Sequence, residues 1–234
     1  MATIVLERGR RALLDDLLLG RGVRAHIASL AASTIIFGAL YGAVLGAWHG
    51  ARLASYVAVK VPLLLLSTAL ITALFNWIVA ALLGLRMRPA QTFALTLVPL
   101  AVSSIVAASL APVAWFFTQA LPAPSPTQRT LHNVLYLVHV LLVATGGVAG
   151  TMLLRRALVA VCNGDEQRAR AVRFAWTFVY AFVGGEMAWV LRPFVGSVYL
   201  PVVFLRDDAL HGNVYEFILT DIVPQLWRSL CSAL

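Results

Sequence analysis

Glu186 stands in the segment Gly184-Gly-Glu-Met-Ala-Trp189 and is the one acidic residue inside any long apolar stretch of this chain. An ionised carboxylate in hydrocarbon costs several kcal/mol unless it is paired or hydrated, so Glu186 needs a proton, a cation or water. Two partners suggest themselves. Arg192 follows six residues later, ~9 Å further along a helix. His139 lies about as far from the end of its own apolar stretch as Glu186 does from the end of its own. A constellation of Glu186, His139 and Arg192 has the chemistry of a proton relay or ion site. The same residues also have the chemistry of a structural clamp, with Glu186 protonated or paired and holding helices in register. Asn76, beside Trp77, reads as interhelical hydrogen-bonding glue.

Other chemistries are poorly served. His132 and His139 share a helical face, but a bis-histidine haem needs facing histidines at equal depth on two helices. Only His49 and His132 approach that arrangement, and no cofactor is expected. Cys162 and Cys231 have neither CxxC nor metal-ligand spacing. The chain has no nucleophile elbow, HExxH, Walker motif or glycine-rich phosphate loop. No catalytic residue and no metal site are assigned, and the chain reads as a non-enzyme.

The elements that must position these residues are five apolar stretches. They run from Ala25 to Trp48, Leu63 to Leu83, Phe93 to Phe117, Leu131 to Leu154 and Phe174 to Val195. Each approaches the ~20 residues that cross a ~30 Å hydrocarbon core as a helix. The 234 residues are 61% hydrophobic and 12% charged, half the charge of an ordinary soluble domain. The sequence therefore predicts an all-α, polytopic transmembrane bundle of about five spans. Residues 1–24 form a cytoplasmic amphipathic segment, 25–195 the bundle, and 196–234 a non-cytoplasmic amphipathic tail. In the first segment Leu6, Leu13, Leu14, Leu17 and Leu18 fall near one helical face, suited to a membrane surface or to another subunit. Lys60 and Pro62 interrupt the second stretch; the expectation is a span starting near Pro62, with Lys60 snorkelling at the outer interface. Pro99 and Pro112 are expected to kink the third.

Small residues recur at helical spacing. Gly38, Gly42, Gly46 and Gly50 are each four apart in the first span, Gly146 and Gly150 mark the fourth, and Gly184 with Ala188 the fifth. Such faces let helix backbones approach closely. They predict that spans one, four and five form the tightest contacts, with glycine-rich faces also offered to protein partners.

The net charge is +8, and seventeen of the eighteen cations are Arg. The basic segments lack interleaved stacking aromatics, so nucleic acid is not an expected partner. Arg-rich loops instead set topology and meet anionic lipid headgroups. Arg8, Arg10, Arg11, Arg21, Arg24, Arg86, Arg88, Arg155, Arg156, Arg168, Arg170 and Arg173 fall on one predicted side, against Arg52, Lys60 and Arg129 on the other. The asymmetry predicts a cytoplasmic N-terminus and an external C-terminus. The tail after Gly196 carries four acids and two arginines, which suits the outer side. Tyr215 to Leu219 and Ile222 to Pro224 suggest a short amphipathic helix, with Trp227 as an interfacial anchor.

The segment Gly185 to Ser197 (GEMAWVLRPFVGS), followed by Phe204 to Arg206 and Gly212 to Glu216 (GNVYE), resembles uncharacterised bacterial multi-pass membrane proteins. Their corresponding stretch reads approximately WVLRPF-G-S-P, then F-R, then GN-YE. The resemblance extends back through Lys60 to Leu65 and Ala108 to Pro112; Val198 departs from it by replacing Pro. It implies topology and a bacterial inner-membrane location. The five-span layout also resembles Yip1-type membrane proteins in topology. Together the residues support a membrane subunit that scaffolds or anchors an assembly. The alternative is a small proton-coupled transporter or channel using Glu186 and His139.

Overall fold

The computed structural model describes residues 12–122, 129–195, 202–217, 220 and 224, and the side chains of 129–133 and 217 lie outside the described set. Among these residues helix is the only regular secondary structure, and there is no strand. Helix α1 covers residues 12–19. The long helices are α2 (Val23–Gly46), α3 (Ala51–Leu82), α4 (Pro89–Ser109), α6 (Arg129–Val161) and α7 (Glu166–Val190); α5 (Ala111–Ala120) and α8 (Val214–Phe217) are short. A 3₁₀ turn, Ala47–His49, extends α2. Five helices are long and apolar enough to cross a membrane. In hydrocarbon every backbone amide must be satisfied within the chain, which is why apolar stretches of this length form unbroken helices.

That requirement also explains where the element boundaries depart from expectation. Helix α3 begins at Ala51, not near Pro62, and runs through the proline. It follows Gly50, whose φ of +96° breaks the chain away from α2. The helix therefore carries Lys60 inside the bundle, where the side chain is fully buried. The third apolar stretch is two helices: α4 ends at Ser109 and α5 starts after Leu110. Pro112 falls in the first turn of α5, where its missing N–H and fixed φ cost nothing. Pro99 is the proline truly inside α4.

Helix α2 packs on α3 and α4, α6 packs on α4, and α7 on α3, with a smaller contact between α6 and α7. The expected close group of spans one, four and five is not formed: spans two and three lie between them. Two apolar clusters fill the interior, one toward each end. At the arginine-rich end Leu14 and Leu17 of α1 pack with Leu85, Leu95, Val98, Leu154, Leu158, Val172 and Trp176. The leucine face of α1 is thus spent on the bundle itself, and Gln91 Nε2 donates to the carbonyls of Leu17 (3.0 Å) and Leu18 (3.2 Å) to hold it there. At the other end Tyr41, Leu45, Trp48, Leu53, Val57, Ala114 and Leu135 pack with Val195. The described tail, 202–217, folds back over this second end.

Candidate functional site

Among the described residues four groups of polar side chains stand out, besides the Ser103 hydroxyl of α4, which bonds the Gly146 carbonyl of α6 at 3.0 Å, and the Ser and Thr side chains that bond their own helix. The first joins α2 to α6. The Tyr41 hydroxyl and His139 Nδ1 share a hydrogen bond of 3.0 Å, with the rings edge-on at 5.8 Å. Both side chains are buried, and His139 Nε2 has no hydrogen-bond partner among the described residues. His139 is therefore engaged with Tyr41 and not with Glu186.

The second group joins α3, α4 and α7. Asn76 Nδ2 donates to Thr96 Oγ1 at 3.2 Å. Trp176 Nε1 donates to the Asn76 carbonyl at 3.1 Å, and the Tyr180 hydroxyl to the Thr96 carbonyl at 2.5 Å. Asn76, Thr96 and Trp176 are fully buried. Asn76 is the interhelical glue that its sequence context suggested.

The third group sits at the tail end and was not legible as a unit. Lys60 Nζ donates to the Pro193 carbonyl at 3.0 Å and lies 5.4 Å from the Phe204 ring centroid and 6.0 Å from that of Phe194. A lysine is retained in such a place only when a carbonyl and aromatic faces replace its hydration. Arg192 turns away from Glu186. Its guanidinium stacks 3.7 Å from the Trp189 ring centroid, Nη1 donates to the Trp189 carbonyl at 2.8 Å, and Nη2 pairs with Asp208 at 3.2 Å. Asp208 also meets Arg206 at 3.3 Å. The residues quoted for the resemblance, Lys60, Trp189, Arg192, Phe194, Phe204 and Arg206, thus gather into one knot.

Glu186 belongs to the fourth group. Because α7 ends at Val190, Glu186 stands in its last turns, ~6 Å from the helix end, rather than deep in a span. It is half-buried, and among the described residues it makes no hydrogen bond or ion pair. Tyr215 of α8 docks beside it. The Tyr215 hydroxyl donates to the carbonyls of Ala181 (3.1 Å) and Phe182 (3.0 Å), and its ring stacks on Phe182 at 5.0 Å. Burial first, and the charge of Glu186 second, push the Tyr215 phenol above its ordinary range. The expected constellation of Glu186, His139 and Arg192 is not assembled: each has been placed in a different group.

The glycines divide as sharply. A Cβ on Gly42 would stand 2.5 Å from the Val57 carbonyl oxygen, and one on Gly46 2.8 Å from that of Leu53. On Gly146 and Gly150 it would stand 2.7 Å from the Ser103 and 2.5 Å from the Pro99 carbonyl oxygens. These four contacts join α2 to α3 and α6 to α4 inside the chain, so those faces are not left for partners. Gly38 and Gly184 have only ordinary contacts, at 3.6 Å and 3.8 Å, and Gly50 meets nothing within 4 Å. Gly50 breaks a helix and is no part of the groove.

Sequence reasoning missed Tyr41 and Asp208 as partners, gave Tyr215 no part beside Glu186, and set Lys60 at the outer interface where the structure buries it. Lys60 carried a signal: it is the one lysine of the chain, inside an apolar run that extends back to Ala54. The side chain of His132 lies outside the described residues, as do Cys231, Trp227 and residues 1–11. Cys162 is buried and free, and burial raises its thiol. Among the described residues no three His, Cys, Asp or Glu side chains are placed to hold a metal. No protein-family model, no curated protein and no solved structure matches the chain.

Proposed function

We propose that this chain is a non-enzymatic integral membrane subunit that scaffolds or anchors a larger membrane assembly. One observation carries the reading: the large buried polar side chains Lys60, Asn76 and His139 are each bonded to another helix of this chain or to its tail. Asn76 ties α3 to α4, Trp176 and Tyr180 tie α7 to both, Tyr41 and His139 tie α2 to α6, and Lys60 ties α3 to the tail. Groups that bind and release an ion must exchange partners; groups with fixed partners make a stiff body on which other proteins can dock. The lipid bilayer is one partner, and other protein subunits, meeting the outward helix faces, are the second. The charge asymmetry supports a bacterial inner membrane orientation with the N-terminus cytoplasmic and the C-terminus outside.

The competing reading is a small proton-coupled transporter or channel. It draws on Glu186, which has no hydrogen bond or ion pair among the described residues, but has lost His139 to Tyr41 and Arg192 to Asp208.

Affinity capture of the tagged chain from native membranes, read by mass spectrometry, tests the scaffold. The expected result is one or more membrane proteins at near-stoichiometric yield. Recovery of the chain alone, together with proton uptake by proteoliposomes that disappears in Glu186→Gln, would replace the scaffold with the transporter. Orientation is checked by Ser125→Cys in a background without Cys162 and Cys231: labelling is expected from outside, and labelling only from the cytoplasm overturns the assignment.

A further inference from the structure

At the arginine-rich end, where α6 leaves the bilayer and α7 enters it, the two helices enclose a cavity of about 250 Å³ lined by Arg155, Val159, Glu166, Ala169, Arg170 and Arg173. Glu166, Ala169, Arg170 and Arg173 follow at helical spacing on one face of α7, and Arg155 and Val159 are one turn apart on α6. The lining therefore carries three guanidiniums against one carboxylate. Glu166 takes up part of the charge of Arg155, at 3.6 Å and with both groups more than half exposed. Such a solvated pair contributes little and is readily rearranged. Arg170 and Arg173 have no ion pair or hydrogen bond among the described residues. Two unspent forks converge on a concave space, which is the arrangement that binds a phosphate oxyanion.

The surface next to the cavity selects the source of that phosphate. One turn from Arg155 toward the bilayer centre is Met152, 63% exposed; Phe174, 76% exposed, follows Arg173, and Phe178, 64% exposed, is one turn beyond Phe174 toward the bilayer centre. A phosphate held by the arginines would have hydrocarbon directly beneath it. A soluble ion has no use for that surface; an acyl chain covers it.

We propose that this cavity binds the headgroup phosphate of an anionic phospholipid, with the acyl chains lying on Met152, Phe174 and Phe178. The site is independent of the scaffold reading and of Glu186.

The test is native mass spectrometry of the full-length protein in detergent, titrated with dioleoylphosphatidylglycerol or dioleoylphosphatidylcholine, with and without inorganic phosphate. The first lipid is expected to bind in preference to the zwitterionic one. Arg170→Gln with Arg173→Gln should weaken it by about tenfold or more, since each arginine near an anionic lipid contributes on the order of fivefold. Arg86→Gln with Arg88→Gln removes the same charge from the same end outside the cavity and should change binding much less. Glu166→Gln removes the one opposing charge and should tighten binding, so the proposal stays falsifiable if the double arginine variant does not fold. Equal loss in both double variants would show diffuse surface attraction and overturn the site. Displacement of the lipid by inorganic phosphate would make the ligand a soluble anion, and no lipid preference in the unaltered protein would remove the proposal.

Discussion

Two kinds of seam hold this bundle together, one led by close backbone approach and the other by side-chain hydrogen bonds. Along α2–α3 and α4–α6 the backbones approach closely at Gly42, Gly46, Gly146 and Gly150, and on α4–α6 the Ser103 hydroxyl adds one bond, to the Gly146 carbonyl at 3.0 Å. Along α3–α7 the glycine is incidental: Gly184 has only a Thr68 side chain at 3.8 Å, and Trp176 bonds the Asn76 carbonyl of α3 while Tyr180 ties α7 to Thr96 of α4. In lipid, helices gain little from burying apolar area against one another, so close packing and polar bonds are the two means available. The difference teaches that glycines at a spacing of four mark a possible close approach. Whether a helix uses it depends on what the facing helix presents.

The sharpest way to break the comparison is to fill the glycine seams. Gly42→Leu and Gly150→Leu drive a side chain into a carbonyl that cannot move aside, and the loss should reach or exceed the roughly 3 kcal/mol at the upper range of overpacking. Gly38→Ala and Gly184→Ala, at sites with ordinary clearance, should leave the unfolding midpoint in detergent nearly unchanged. Leu40→Phe, at a position 53% exposed, should do the same. Equal damage at all five positions would erase the distinction between seams.

Lys60→Met comes next. It strips the Pro193 carbonyl of its donor and takes the cation from between Phe194 and Phe204, at a cost of about 1–3 kcal/mol. Limited proteolysis should then cut within 202–217 sooner than in the unaltered protein. Unchanged cleavage would mean that the tail is held by its other contacts.

The five spans and their order were legible because a bilayer imposes a length and a composition that few other environments demand. Glu186, Asn76 and the four close-packed glycines were legible as unusual for the same reason. Their partners were not. Tyr41 and His139 are 98 residues apart, and Lys60 and Pro193 are 133 apart. Nothing local to Lys60 announces that a later strand of chain will cover it. The proline two residues on argued for a helix start, and local preference lost to the demand that every backbone amide in the membrane be satisfied. The prediction that spans one, four and five pack together failed for a related reason. Small residues show that a contact is close without saying which helix supplies the other half.

Smaller effects sharpen the polar seam. Tyr180→Phe removes a donor to the Thr96 carbonyl and should cost about 0.5–1.5 kcal/mol in reversible unfolding. No measurable change would show that the Tyr180 bond adds nothing to the other contacts that hold α7. Glu186→Gln should fall within about 0.5 kcal/mol, because this half-buried carboxylate in the last turns of α7 has no hydrogen bond or ion pair to lose among the described residues. A loss of 2 kcal/mol or more, on the order of a broken buried network, would reveal a partner for Glu186.

The central claim is that the polar groups within the membrane join helices. The most direct measurement is a double-mutant cycle on Tyr41→Phe and His139→Leu, read as the free energy of reversible unfolding in one bilayer-mimetic condition. The side chains meet at 3.0 Å, so the cycle isolates the bond between α2 and α6. The account predicts a coupling of about 0.6–1.7 kcal/mol, the range of hydrogen bonds between membrane helices. Additive effects within about 0.3 kcal/mol would contradict it.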